Sequence, residues 1–241
     1  MPAKAEIFDR LRKEMLQLQG FRAPLAAGGD PLGLGRINSA FPNGVFPQAA
    51  VHEFVCAAPE EGAATSAFIT GLLSGIMKEG GAVLWAGTGR RVYPPALRAF
   101  GVRPERVLFL DLKKEKDVCW ALGEALRCGA LSAVVGELKD LDFTGSRRFQ
   151  LAIESSGVPC FLLRRNARAA ATTAVARWRV APLQSVPEEG LPGIGHPRWR
   201  VQLLKARNGR PGSWDVEWRG GAFREVLQQV APVARLHRKA G

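Results

Sequence analysis

Short runs of residues that are apolar on both faces recur along the chain from residue 49 onward. They lie at residues 49–56, 82–86, 106–112, 132–136 and 159–163. Between them, apolar residues spaced by three and four predict helices at residues 64–79, 94–100, 116–129 and 144–156. Runs that are apolar on both faces are typical of strands buried in a parallel sheet. The alternation therefore predicts an α/β fold, a parallel sheet flanked by helices, with ligand sites at the carboxyl ends of the strands.

The pattern changes after residue 165. Strands are predicted at Arg177–Leu183, Trp199–Ala206 and Trp214–Trp218, with a Pro- and Gly-rich loop over residues 182–197 and a tight turn at Asn208-Gly209. We expect these strands to form a meander packed on the edge of the sheet. The chain then divides into an N-terminal helix arm, a linker, an α/β core and a basic, β-rich C-terminal extension, at residues 1–20, 21–36, 37–165 and 166–241.

The arm carries one apolar stripe. Phe8, Leu11, Met15 and Leu18 fall on the same face of a helix predicted over residues 3–19, and the intervening positions are charged or Gln. An isolated amphipathic helix buries nothing, so the stripe packs on the body of the protein, on a partner or on a second copy. We expect it to bind a partner or a second copy.

The net charge of +12 is distributed unevenly. Residues 164–210 contain ten basic and two acidic residues, whereas residues 1–163 are nearly balanced, with nineteen basic and seventeen acidic residues. Such a segment can neutralise phosphates and release counterions, although solubility or an acidic partner would explain it too. The candidate DNA-contacting residues are Arg164, Arg165, Arg168, Arg177, Arg179, Arg198, Arg200, Lys205, Arg207 and Arg210.

An Arg-Trp-Arg pattern occurs twice in this segment, around Trp178 and Trp199. In a strand it places the tryptophan on one face and both arginines on the other. We expect both tryptophans in the core and the arginines on an outer face, available to DNA or an acidic protein.

Residues Val51–Thr70 have the outline of a phosphate-binding loop, in which a strand leads through small residues into a helix. A working loop reads Gly-x-x-x-x-Gly-Lys-Ser/Thr. Here Ala58 replaces the first Gly, Gly62 retains some freedom to turn, Ala64 replaces the Lys, and Thr65 supplies the hydroxyl. Without the Lys the loop lacks the cation that faces a transferring phosphoryl group.

Other parts of a nucleotide-hydrolysing site are also missing. Glu60 and Glu61 would repel a triphosphate, and the fourth apolar run ends in Glu137 rather than Asp. We expect Glu137 to cap a helix or lie on the surface. No acidic residue occurs between Ala82 and Pro104, where a catalytic carboxylate is expected. We therefore predict no enzymatic activity, no catalytic residue and no cofactor.

A rival site follows the second apolar run, where Gly87-Thr88-Gly89 resembles the opening of a dinucleotide-binding fingerprint and Asp111 lies near the expected ribose-binding position. The third glycine is replaced by Val92, and Pro94-Pro95 follow at once, so a dehydrogenase is the weaker hypothesis.

The cysteines and histidines show no metal-ligand spacing, and we predict no metal and reduced thiols. His52 is expected to be a core or edge histidine of the first strand. No apolar run is long enough for a membrane span, and the start of the chain lacks a signal-peptide pattern. We expect a cytoplasmic protein without membrane contact.

Five stretches match a known family in their order along the chain: Ile37–Pro47, His52–Phe54, Ala58–Glu61, Thr172–Val180 and Leu204–Trp214. The first three resemble the phosphate-loop region of RecA-type proteins, with the loop lysine lost. The last two resemble the ImuA family, RecA- and SulA-like accessory proteins of SOS-induced mutagenesis. The resemblance covers about residues 4–225.

This resemblance implies a RecA-like fold and a role in translesion synthesis after DNA damage. Proteins of this family work beside a catalytically inactive, ImuB-like homologue of the Y-family polymerases and an error-prone replicative-type polymerase. We expect a non-enzymatic adaptor that contacts both, with RecA and DNA as further partners. Two alternatives remain open: a weakly nucleotide-binding regulator of RecA-dependent recombination, and a SulA-like inhibitor of cell division.

Overall fold

The structure, a computed structural model, describes residues 6–8, 10–11, 14–15, 30–165, 171–187, 190 and 193–226. Its long α-helices are α1 (Pro59–Ile76), α2 (Glu115–Ala125) and α3 (Phe143–Ser156), and the described residues between 6 and 15 are also helical. Its strands are β1 (Val51–Cys56), β2 (Ala82–Gly87), β3 (Val107–Asp111), β4 (Leu131–Leu138), β5 (Cys160–Arg165), β6 (Ala176–Leu183), β7 (Arg198–Ala206), β8 (Gly212–Arg219) and β9 (Ala222–Glu225).

All nine strands form one sheet in the order β3-β2-β4-β5-β1-β6-β7-β8-β9. The strands from β3 to β6 in this order pair in parallel, and β6 to β9 pair as an antiparallel meander. The predicted α/β fold is confirmed. The expected meander lies at the β1 edge of the parallel strands, where it continues the sheet: β6 pairs with β1 in parallel, with Phe54 opposite Trp178.

Helix α1 begins at Pro59, five residues before the predicted start. Proline suits the first helical position because it has no N–H to leave unsatisfied there, and Glu60 and Glu61 in the first turn favour the positive end of the helix dipole. The segment Pro94–Phe100 forms a 3₁₀ helix. Strand β9 was not predicted. It is four residues long and follows a Gly220-Gly221 turn, and both glycines have positive φ.

The helices lie on both faces of the sheet. Helix α1 covers the face that contains Phe54 and Trp178, and α2 and α3 cover the face that contains Val51 and Leu162. Trp178 and Trp199 are buried, as the Arg-Trp-Arg pattern predicts. No helix among the residues just described combines the length and the apolar content needed to cross a bilayer.

His52 lies at the centre of the first of these faces and is fully buried. Its ring stacks on Phe46 with centroids 4.3 Å apart. Its Nε2–H donates to the carbonyl of Pro47 at 2.6 Å, and Nδ1 accepts from the indole N–H of Trp178 at 3.3 Å. A ring that donates from Nε2 and accepts at Nδ1 carries a single proton, so these two bonds hold the imidazole of His52 in its neutral form. Burial lowers the pKa of His52 to about 4, against the smaller opposing effect of the Pro47 carbonyl.

Candidate functional site

The degenerate phosphate loop lies at the carboxyl end of β1, near the middle of the sheet. The strand ends at Cys56, and α1 begins three residues later. Thr65, the expected hydroxyl ligand, is fully buried, and its Oγ1 lies 3.4 Å from the Sγ of Cys56. The Thr65 hydroxyl is therefore buried where α1 packs against β1.

The carboxylate of Glu61 folds back onto the backbone that precedes α1. Glu61 is only 4% exposed, and its Oε2 accepts the N–H of Ala57 at 2.8 Å. Its Oε1 accepts from Nε and Nη2 of Arg179 on β6, at 2.9 Å and 2.6 Å. Backbone N–H groups at a helix N-terminus are the donors that bind phosphate in working loops. Here the N–H groups of Ala57 and Ala58, just before the helix, bind an internal anion that is itself held by an arginine.

An arginine closes the same loop from the β5 side. The guanidinium of Arg165 lies so close to Gly62 that a Cβ added to this glycine would be 1.5 Å from Nη1. Arg165 also approaches Glu137, with Nη2 at 3.5 Å from Oε2. The guanidinium therefore covers Gly62 in the first turn of α1, and a cavity of about 390 Å³ lined by Pro59, Ala63 and Arg165 lies beside it.

Glu137, at the position of the metal-binding acid in working sites, is fully engaged. Its Oε1 accepts the indole N–H of Trp85 at 3.0 Å, and its Oε2 faces Arg165 and, at 3.9 Å, Arg91. It is buried, so the expectation of a helix cap or a surface residue was wrong. Among the described ranges, no group of three His, Cys, Asp or Glu side chains comes together to hold a metal.

The electrostatics of Glu61 lead to a prediction. Burial alone would raise its pKa, but the hydrogen bonds from Arg179 and from the loop backbone outweigh burial and lower the pKa below its ordinary value of 4.5. We expect Glu61→Gln to lower the free energy of unfolding at pH 7 by about 1–3 kcal/mol, since it removes a charge-assisted pair.

The sign of the pH dependence follows from the lowered pKa. The contribution of Glu61 is complete above its ordinary pKa and is lost as the pH falls through the folded-state value. Urea titrations at several pH values should therefore show the gap between Glu61→Gln and the wild type closing below about pH 4.5. Glu60→Gln is the matched control because Glu60 is the exposed neighbour. Equal stability of the two variants at pH 7 would contradict this assignment.

The rival loop after β2 does not form a dinucleotide site. Asp111 is held by Arg90 with an Nη2–Oδ2 distance of 2.8 Å, and the guanidinium of Arg90 lies 4.6 Å from the ring centroid of Phe109. The chain then enters the 3₁₀ segment Pro94–Phe100 rather than an α-helix. The N-terminal donors that such a fingerprint needs are therefore missing.

The basic residues proposed to contact DNA do not form one open patch. Six of them pair with carboxylates: Arg164 and Arg177 with Glu53, Arg165 with Glu137, Arg179 with Glu61, Arg198 with Glu217, and Arg200 with Asp215. Much of the excess charge counted along the sequence is therefore compensated in the fold.

Arg164 is the clearest case. Its side chain is 1% exposed, and it pairs with Glu53, which is also 1% exposed. Its Nε and Nη2 donate to the carbonyl of Lys139 at 3.3 Å and 3.1 Å. Arg177 donates to the other oxygen of Glu53 at 2.6 Å, and Thr172 donates to the same oxygen at 3.2 Å. This placement gives Arg164 a structural role inside the sheet.

Three of the predicted residues lie together in and beside the β7–β8 turn: Lys205, Arg207 and Arg210. Lys205 and Arg210 are exposed, and Arg207 donates to the carbonyl of Thr173 at 2.8 Å. The turn contains Asn208 at positive φ, as the Asn-Gly pattern predicts. Because β7 runs antiparallel to β6, this group lies at the opposite edge of the sheet from the phosphate loop.

The apolar stripe of the arm is open in the single chain. The exposed fractions of Phe8, Leu11 and Met15 are 75%, 54% and 58%. Leu18 lies outside the described residues, as does Arg168.

Sequence reasoning missed the central feature of the site, namely that Glu61 and Arg165 fill the loop. A signal was present: an acidic residue stands where the loop directs its N–H groups at phosphate. The partner Arg179, in contrast, is 118 residues away in sequence.

Comparison with known proteins identifies the family. No protein-family model matches the chain. The chain is similar to Protein ImuA of Caulobacter vibrioides, in strain NA1000 / CB15N and in strain ATCC 19089 / CIP 103742 / CB 15. In both cases the identity is 34% over 207 residues, covering 80% of this chain and 83% of the relative. At this identity and coverage, the chain belongs to the ImuA family.

Proposed function

We propose that the chain is a non-enzymatic accessory protein of DNA-damage-induced mutagenesis, acting in translesion synthesis. The observation that carries the non-enzymatic part is the closed phosphate loop. Glu61 accepts the N–H of Ala57, Arg165 covers Gly62, and Ala64 stands where the lysine is needed. Phosphoryl transfer depends on positioning and on cationic stabilisation of the phosphates. Here the loop lacks its lysine, and the guanidinium that lies over it, that of Arg165, faces Glu137. The role in mutagenesis rests on membership of the ImuA family.

The proposed partners are an inactive, ImuB-like homologue of the Y-family polymerases, an error-prone replicative-type polymerase, RecA and DNA. The exposed stripe Phe8, Leu11 and Met15 supports a role for the arm in binding a protein, because open apolar stripes of this spacing are typical of helix-in-groove recognition. DNA contact is assigned to Lys205, Arg207 and Arg210.

A damage-mutagenesis assay tests the proposal. We expect a strain that lacks the chain to lose the rise in mutation frequency after ultraviolet irradiation, and the wild-type chain to restore it. An unchanged induced frequency would overturn the proposed role. Loss of cell filamentation with normal mutagenesis would favour the division inhibitor instead, and a changed recombination frequency would favour the recombination regulator.

The DNA surface has its own test. In Lys205→Glu/Arg210→Glu we expect affinity for single-stranded DNA to fall about tenfold and the salt slope to decrease by about 1.4, since each phosphate contact contributes about 0.7. The matched control is Lys113→Glu/Lys114→Glu, which makes the same change in net charge at two exposed lysines between β3 and α2. Equal effects in both double variants would show that only the total charge matters.

A further inference from the structure

A concave surface lies on the face of the sheet that α2 and α3 cover, opposite α1. It is a groove of about 530 Å³ between α2 and the first turns of α3. The lining residues of α2 recur at spacings of three and four, so they form its outward stripe. Neither the closed loop nor the proposed DNA surface includes any of these residues. The groove is therefore independent of the residues that carry the proposed function.

The floor and one wall of the groove are apolar. Trp120 lines the wall and is 70% exposed, Cys119 lies beside it, and the buried ring of Phe149 forms part of the floor. Gly123 lies at the centre of the groove and has space around it. A Cβ added there would be 3.8 Å from Phe149, which is an ordinary contact distance. A large aromatic side chain left open beside a cavity is typical of an anchor for a partner.

The rim of the groove is basic. Lys116, Arg127 and Arg148 line it, whereas Glu124 is its one acidic lining residue and is paired with Arg127 at 3.0 Å. Lys116 and Arg127 are eleven residues apart on or next to α2, which places them about 16 Å apart along the helix axis. This separation corresponds to about three turns of a bound helix.

We propose that this groove binds an acidic amphipathic helix of a partner protein. Apolar side chains of the partner at positions i, i+4 and i+7 enter the groove beside Trp120, and carboxylates near both ends of the helix pair with Lys116 and Arg127. The basic residues of the rim, Lys116, Arg127 and Arg148, favour an acidic occupant. The arm of a second copy fits less well, since its described charges, Glu6, Arg10 and Glu14, are of mixed sign. Nucleic acid fits less well, since the cations are separated by an apolar floor.

Fluorescence anisotropy with a designed peptide tests the proposal. The probe is a labelled helix of about three turns with a Leu-Phe-Leu stripe at i, i+4 and i+7 and Glu at both ends. We expect micromolar binding to the full chain, at least tenfold weaker binding to Trp120→Ala, and a similar loss in Arg127→Glu/Arg148→Glu. Gly123→Leu should block the groove while keeping every lining residue that contacts the peptide.

The matched control is Tyr93→Ala, because Tyr93 is 71% exposed and lines a different cavity beside α1. It should bind the peptide like the wild type. Equal binding of a peptide with Lys in place of Glu, or a loss below twofold in Trp120→Ala, would overturn the proposal. Tighter binding of a residue 1–20 peptide would assign the groove to a second copy. Loss of oligonucleotide binding in Trp120→Ala, with no peptide binding to the wild type, would assign it to nucleic acid.

Discussion

Replacing Glu53 by Gln is expected to lower the free energy of unfolding by about 3–5 kcal/mol, as measured by urea denaturation. Glu53 lies inside the sheet and accepts from Arg164, Arg177 and Thr172. Arg164 is as deeply buried as Glu53, so it has no access to water after the substitution. Removing one partner of a buried pair costs more than the pair contributes, because the remaining charge is left uncompensated.

The control for this prediction is Glu225→Gln. Glu225 pairs with Arg36 at 3.1 Å, but the Arg36 side chain is 73% exposed, and surface pairs contribute only about 0–1 kcal/mol. A cost below about 1 kcal/mol for Glu53→Gln would contradict the account. If that variant does not fold, the double variant Glu53→Met/Arg164→Met should be more stable than Glu53→Gln, because it removes the buried cation together with its partner.

Lowering the pH from 6.5 to 4 should reduce stability by up to about 3 kcal/mol through His52 alone. The folded-state pKa of His52 is about 4, against an ordinary value of 6.5. Between these values the unfolded chain binds a proton that the folded chain does not, so stability rises with pH throughout this window. A shift of one pKa unit corresponds to about 1.4 kcal/mol, which sets the size of the effect.

The measurement compares the pH dependence of urea unfolding in the wild type and in His52→Gln. His52→Gln should be less stable at pH 7, and its slope between pH 6.5 and pH 4 should be smaller. A wild-type slope in His52→Gln would place the titrating group elsewhere.

The fold was predictable because its signals are local. A strand that is apolar on both faces indicates a parallel sheet even when its neighbours in the sheet are unknown. The turn at Asn208-Gly209 is specified by those two residues alone. The pairing of β6 with β1 could not be specified, because nothing in the local pattern of either strand identifies its neighbour in the sheet. The short strand β9 has too few residues for alternation to be recognised.

The electrostatics of the site were not predictable in the same way. Arg164 and Glu53 are 111 residues apart, and Arg179 and Glu61 are 118 residues apart. A charge count along the sequence assigns such residues to separate segments, whereas the sheet places them side by side. The basic segment therefore suggested one continuous DNA-binding face. In the structure, six of its arginines pair with carboxylates, and three basic residues at the β7–β8 turn remain as the proposed contact.

The loop between β1 and α1 is closed by the carboxylate of Glu61 and by the guanidinium of Arg165 from β5. Phosphate would have to displace the carboxylate of Glu61 from the N–H of Ala57 and move the guanidinium of Arg165 away from Gly62. Isothermal titration calorimetry of the full chain with ATP and magnesium tests this directly. We predict no binding up to millimolar nucleotide, and a dissociation constant in the low micromolar range would contradict the account.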